Sequence, residues 1–194
     1  MSYFLYGLFG LFIFFVIINY FRKLHWDAIH NNLFDLADDI GGNVIRKGFL
    51  ARPVYHGKYK GNEVTINFSQ EKKESGRKTY INISLNKKIK NSITFVSMKW
   101  LETQKDSMED LKIYNIDNNI EYGMRTASSS QIEKKDFDLK IIINLKKLHP
   151  FNYIFLGKTG VILEKESQNI ALDTRHPGLK SLIGDIYNLC RDVQ

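Results

Sequence analysis

Few residues in this chain are of types suited to catalysis or ligation: His25, His30, His56, His149 and His176, the lone Cys190, an Asp38-Asp39 pair, a Ser128-Ser129-Ser130 run and a Gly157-Lys158-Thr159-Gly160 turn. Two metal ligands on one helix face want a four-residue spacing, whereas His25 and His30 stand five apart with no HExxH pattern around them. All five imidazoles therefore read as surface or partly buried side chains, and a metal site would have to be assembled from distant positions. Cys190 falls on the apolar stripe of a helical segment, where a buried thiol is inert. The Lys158-Thr159 pair lacks the GxxxxG frame of a phosphate loop and stands between two strand-like runs instead of opening a helix. Adjacent aspartates on a helix point apart, so Asp38 and Asp39 read as a solvated helix end. The serine run has no nucleophile elbow around it and suits a loop or a helix start. No hydrolase, kinase or dinucleotide-dependent enzyme is indicated, no catalytic residue stands out, and neither a metal nor another cofactor is expected.

The cations are more informative. The formal net charge is +7, and its distribution is uneven: residues 1–42 balance at −2, residues 43–100 at +10 and residues 101–194 at −1. Within the basic third, Lys58, Lys60, Lys72, Lys73, Arg77, Lys78, Lys87, Lys88 and Lys90 are candidate contacts for an anionic surface, with Arg46, Lys47, Arg52 and Lys99 completing the set. Each well-placed cation adds roughly 1 kcal/mol of attraction to an anionic leaflet. The bland account is lysine on solvated strand edges, where it discourages aggregation. Tyr55, Tyr59, Tyr80 and Phe95 lie among these cations, but a base-stacking platform needs exposed rings and alternation sends some of these inward. Nucleic acid is the weaker reading.

What positions these residues is set by the first stretch, Tyr3 to Phe21, nineteen residues without a charge, closed by Arg22 and Lys23. At about 1.5 Å per residue it covers roughly the 30 Å of a bilayer's hydrocarbon, so it reads as a single transmembrane helix. A cleaved signal peptide would begin with a basic region and end at small residues, and a helix packed on a soluble core would show a polar face. Tyr3 at one end and Tyr20, Arg22, Lys23 and Trp26 at the other read as interface residues. The basic flank places the following domain in the cytoplasm, and a lone cysteine agrees with a reducing compartment. Gly7 and Gly10 are three apart, so the GxxxG dimer spacing is absent.

Leu24 to Ile40 reads as an amphipathic helix with Trp26, Ile29, Leu33, Leu36, Ala37 and Ile40 on one side, stopped by Gly41-Gly42 and continuous with the anchor. Pro53–Tyr59 and Glu63–Ser69 form a hairpin around Lys60-Gly61-Asn62; a polar loop spans Gln70 to Lys78; Thr79–Leu85 and Ser92–Trp100 are further strands. Four or five antiparallel strands in succession are expected. Lys112–Ile116 and Ile120–Thr126 are short strands. Phe137–Leu148 fits both periods, and its length up to His149-Pro150 favours a helix. Phe151–Leu156 and Val161–Lys165 bracket a second hairpin, and Pro177–Val193 is an amphipathic closing helix.

The run Leu36-Ala37-Asp38-Asp39-Ile40-Gly41-Gly42, followed by Val54 to Val64 with its G-x-Y-x-G-x-x-V pattern, resembles uncharacterised membrane-anchored bacterial domains, and Asp138 to Lys165 follows in a similar order. The resemblance implies an α+β fold beside a membrane helix and transfers no catalytic residue.

The whole reads as an α+β protein: a transmembrane anchor over 1–23 and a cytoplasmic domain over 24–194, held in an inner or plasma membrane. The expected function is a non-catalytic module that contacts membrane lipid through residues 3–21 and binds a protein partner or anionic headgroups through a basic β face. An enzyme with a site assembled from distant residues, and a nucleic-acid-binding module, are the alternatives.

Overall fold

The computed structural model describes residues 2–73, 76–104, 111–117, 120–126 and 135–193. It opens with α1, Ser2–Ile40, one 39-residue helix that passes Lys23 and Leu24 without a break. In its second half Trp26, Ile29, Leu33 and Leu36 recur at steps of three and four and are all buried. The helix stops because Gly41 (φ +80°) and Gly42 (φ +126°) take left-handed conformations, with the Gly41 N–H donating to the Ala37 carbonyl at 2.8 Å. A Cβ on Gly42 would stand 2.6 Å from the His56 carbonyl oxygen, so the chain turns against the sheet only with glycine there.

Nine strands follow: β1 Asn43–Ile45, β2 Val54–Tyr59, β3 Asn62–Lys73, β4 Gly76–Leu85, β5 Ile93–Ser97, β6 Lys112–Asp117, β7 Ile120–Thr126, β8 Tyr153–Gly157 and β9 Gly160–Ser167. Four shorter helices interrupt or close the chain: α2 Met98–Gln104, α3 Lys135–Leu148, α4 Ile170–Asp173 and α5 His176–Asp192. The strands make one antiparallel sheet in the order β1-β2-β3-β4-β9-β8-β5-β7-β6, so the fold is α+β as expected.

The order departs from a simple succession. β2, β3 and β4 are neighbours, but the late β8–β9 hairpin inserts between β4 and β5, pairing Leu85 with Val161 and Phe95 with Ile154. The expected polar loop over Gln70–Lys78 is largely strand: β3 and β4 stay paired through Gln70↔Thr79 and Lys72↔Arg77. Beyond Phe68 this ribbon leaves the core, so neither of its faces is apolar and the period-two signal disappears. The strand expected over Ser92–Trp100 ends at Ser97, where α2 begins. At Phe137–Leu148 the helical reading holds: Ile141, Leu145 and Leu148 are buried while Leu139 and Ile143 are exposed, a helical stripe and not an alternation. The expectation for Ala127 to Ser130 lies outside the described residues.

The core joins the second half of α1, α3, α4 and α5 to one face of the sheet. Val64, Ile66, Ile81, Ile83, Phe95, Ile154 and Leu163 meet Leu33, Ile141, Leu179 and Ile186 in one cluster. On the opposite face α2 packs against β5 and β7, burying Leu101 and Val96 apart from that cluster.

Candidate functional site

The first half of α1 is apolar and exposed, packed against none of the described residues of the domain. None of its most apolar window is buried against the domain, and Tyr3, Phe12 and Tyr20 are 91%, 61% and 58% exposed. The helix is long and apolar enough to cross a membrane. Of the expected interface residues, Arg22 and Lys23 are exposed at the domain end of that half, Lys23 pairing with Asp27 at 2.9 Å. Trp26 departs from expectation: it is 3% exposed, its ring lies 6.0 Å from that of Phe68, and the Arg52 guanidinium sits 5.9 Å from its centroid. It belongs to the interface between helix and sheet, because the apolar stripe that meets the sheet begins with it.

Where α1 leaves the sheet, the charges of Arg22 and Arg77 both act on Arg52. Arg52 donates from Nη1 to the Phe68 carbonyl at 3.0 Å and from Nη2 to Gln70 Oε1 at 2.8 Å. Burial, then the charges of Arg22 and Arg77, hold its pKa below the ordinary guanidinium value. The β3–β4 ribbon carries exposed Lys72 and Arg77 to this same end; the Lys73 side chain lies outside the described residues. Arg46 is tied down locally, bonded to Asp27 and to the carbonyls of Ala51 and Phe49. Lys78, one residue on, is bound to Glu166 at 2.9 Å.

The remaining candidates are elsewhere. Lys58 and Lys60 lie at the β2–β3 turn, and Lys87, Lys88 and Lys90 follow the far end of β4. Ten residues of extended chain, roughly 33 Å, separate Asn62 from Lys72 along β3. At this far end Lys60 Nζ and Lys87 Nζ lie 4.8 and 4.0 Å from the Tyr187 ring centroid, beside Tyr59. The basic run of the sequence is thus two groups at opposite ends of a hairpin. The rings that could have stacked bases are inside: Tyr55, Tyr80 and Phe95 are buried, and only Tyr59 is partly open.

Of the reactive candidates, Cys190 is fully buried and desolvation pushes its thiol up to about 12. Asp39 is not a free helix end: it accepts from Lys180 Nζ and contacts His176 Nε2, both at 2.6 Å, clamping α1 to α5. These bonds, Lys180 first, hold its carboxyl below the usual range. His30 is half-buried with Nδ1 unpartnered, edge-on to Phe34 at 4.7 Å, and burial lowers its pKa. Gly157 to Gly160 form the β8–β9 turn. Among the described residues no group of three or more His, Cys, Asp or Glu could hold a metal ion.

A polar cleft of about 500 Å³ that no motif announces lies at the end of β4, β9, β8 and β5. Tyr122, stacked on Phe151 at 4.1 Å, lies 2.7 Å from His149 Nδ1, and its oxygen accepts a long 3.5 Å bond from the Phe151 N–H. Burial pushes the phenol up to about 12, so it keeps its proton. The residues lining the cleft come from six separate segments, which is why no spacing signals it.

No family model and no curated protein matches the chain. Among solved structures it is similar to the crystal structure of the mycobacterial trehalose monomycolate transport factor A, TtfA, with a TM-score of 0.47 and 14% identity, over 86% of this chain and 96% of that one.

Proposed function

We propose that the chain is a single-pass, membrane-anchored binding module, non-catalytic, with residues 1–23 in an inner or plasma membrane and residues 24–194 on the cytoplasmic side. The domain rests on the anionic leaflet through Arg22, Arg52, Lys72 and Arg77, while the far group around Lys60, Lys87 and Tyr187 is held off the bilayer, open to a protein partner. The observation that carries this reading is that the charges of Arg22 and Arg77 converge on Arg52 where the exposed apolar half of α1 leaves the sheet. Like charges gathered there repel unless something anionic neutralises them, and phospholipid headgroups do so at the depth the helix dictates. A continuous helix also fixes the height of the domain, which a flexible linker would leave free.

The test places a fluorophore on a single cysteine at Lys72 or at Lys88 in a Cys190→Ala background, with the full chain in nanodiscs. Lipids spin-labelled at the headgroup should quench the Lys72 label strongly in anionic nanodiscs and weakly in zwitterionic ones, and should leave the Lys88 label bright. Equal quenching at the two positions would refute the seating.

A further inference from the structure

We propose that the polar cleft and an adjoining apolar groove together bind one anionic amphiphile, a single hydrocarbon chain ending in a phosphate or carboxylate. The inference deepens the membrane reading above, which supplies the ligand's source; the chemistry of the site stands apart from it. The groove, about 410 Å³, lies on the sheet face away from α1, and its size is that of a small-molecule site.

An antiparallel sheet with one buried face ordinarily turns polar residues outward. β4 does so with Lys78, Asn82 and Ser84, and β9 with Glu164 and Glu166, yet between them the outer positions of β5, β8 and β9 gather Val96, Tyr153, Phe155 and Ile162, edged by Thr94 and Arg125. Among the described residues, α2 and Leu111 cover part of this strip, and Ile162 remains 39% exposed. Phe155 lies down along its strand over Gly157, where a Cβ would stand 2.7 Å from the ring, and so floors the trough. The groove ends at Trp100, whose ring is 5.7 Å from that of Tyr153, and the same Trp100 lines the polar cleft.

Beyond that shared wall the chemistry inverts. Lys78, Lys99 and Lys165 line the cleft with Glu166 and Asp173. Lys78 is held by Glu166, Lys165 is loosely paired with Asp173 at 3.9 Å, and Lys99 is exposed with no ion-pair partner among the described residues. One ligand satisfies both parts: a chain along Phe155 and Ile162, and an anion at Lys99 and Lys165. The cleft opens at the end of β4 that bears Arg77, the end turned to the bilayer in the reading above.

Trp100 reports binding directly, since the other tryptophan, Trp26, is sealed in the core. The full chain in zwitterionic nanodiscs is titrated with dibromostearate, with its methyl ester and with inorganic phosphate. Dibromostearate should quench saturably, the quenching should vanish in Trp100→Phe, and the ester should be at least about tenfold weaker, as should dibromostearate against Lys99→Glu. Ile162→Glu should abolish saturation; Lys99→Glu, on an exposed side chain, decides the matter if that variant fails to fold. Quenching that rises without saturation and is unchanged in both variants overturns the proposal, as does displacement by inorganic phosphate alone. Because the probe is added from water, failure here is distinguishable from failure of the headgroup quenching at Lys72.

Discussion

The Tyr55 hydroxyl donates to the Gly41 carbonyl at 2.6 Å, and the same ring lies over Gly57, so that the end of the long helix and the first full strand are locked by one side chain. The phenol is fully buried, and burial raises its pKa, which keeps it a donor. Tyr55→Phe should destabilise the domain by about 1 kcal/mol. Gly57→Ala should cost more, about 1–3 kcal/mol, because a Cβ there collides with the Tyr55 ring. Urea midpoints of the full chain in nanodiscs measure both, and equal stability of Gly57→Ala and the parent would contradict the packing.

The two halves of α1 should respond differently to truncation. Leu33→Ala removes a fully buried side chain and should lower domain stability by about 2–5 kcal/mol. Phe12→Ala, in the exposed half, should leave the urea midpoint unchanged. A comparable loss from Phe12→Ala would mean that the apolar half packs on the fold.

Acid sensitivity should have two separable limbs. The folded carboxyl of Asp39 is held below its ordinary value, so its contribution is complete above about pH 4 and is lost as pH falls through the folded pKa. His30 is also depressed, so the fold loses stability as pH drops below about 6.5, where the unfolded imidazole takes up a proton more readily. Asp39→Asn should flatten the lower limb and His30→Phe the upper one in midpoints measured from pH 3 to 7. If both variants keep the parent's slope in both ranges, these two groups are not the cause.

Cys190 should be silent toward an aromatic disulfide reagent in the native state and react at once in denaturant, since it is sealed under α5 and its thiol is pushed up to about 12. Rapid native labelling at pH 8 would show that the last helix opens.

The parts of the fold legible in the sequence are those whose signal is local. The alternation Val64, Ile66, Phe68 and the stripe Leu179, Ile183, Ile186 each name their own element, because burial on one face writes the period directly into the chain. Lys60 and Gly61, both at positive φ, mark their hairpin for the same local reason. The placement of β8–β9 between β4 and β5 left no such mark: Leu85 meets Val161 across 76 positions of sequence, and apolar strands carry no label for their neighbours. Trp26 was misplaced because an aromatic near a charged flank has the same signature at a lipid interface and at the start of a core stripe. The basic run between Arg46 and Lys99 looked like one surface, yet a hairpin sends residues a few positions apart to opposite ends of the sheet. The cleft around Tyr122 and His149 was illegible throughout, since no two of its walls share a segment.

The insertion of β8–β9 has a consequence for how the protein is made. Until residue 167 has emerged, β1–β4 and β5–β7 are two partial sheets, each ending in an unpaired strand, and the C-terminal hairpin is the keystone that closes the span. A chain stopped before Tyr153 should therefore sediment as aggregate under conditions where the full chain stays dispersed. Synthesis of this fold is secure only once residues 153–167 arrive to join what the earlier portions could not.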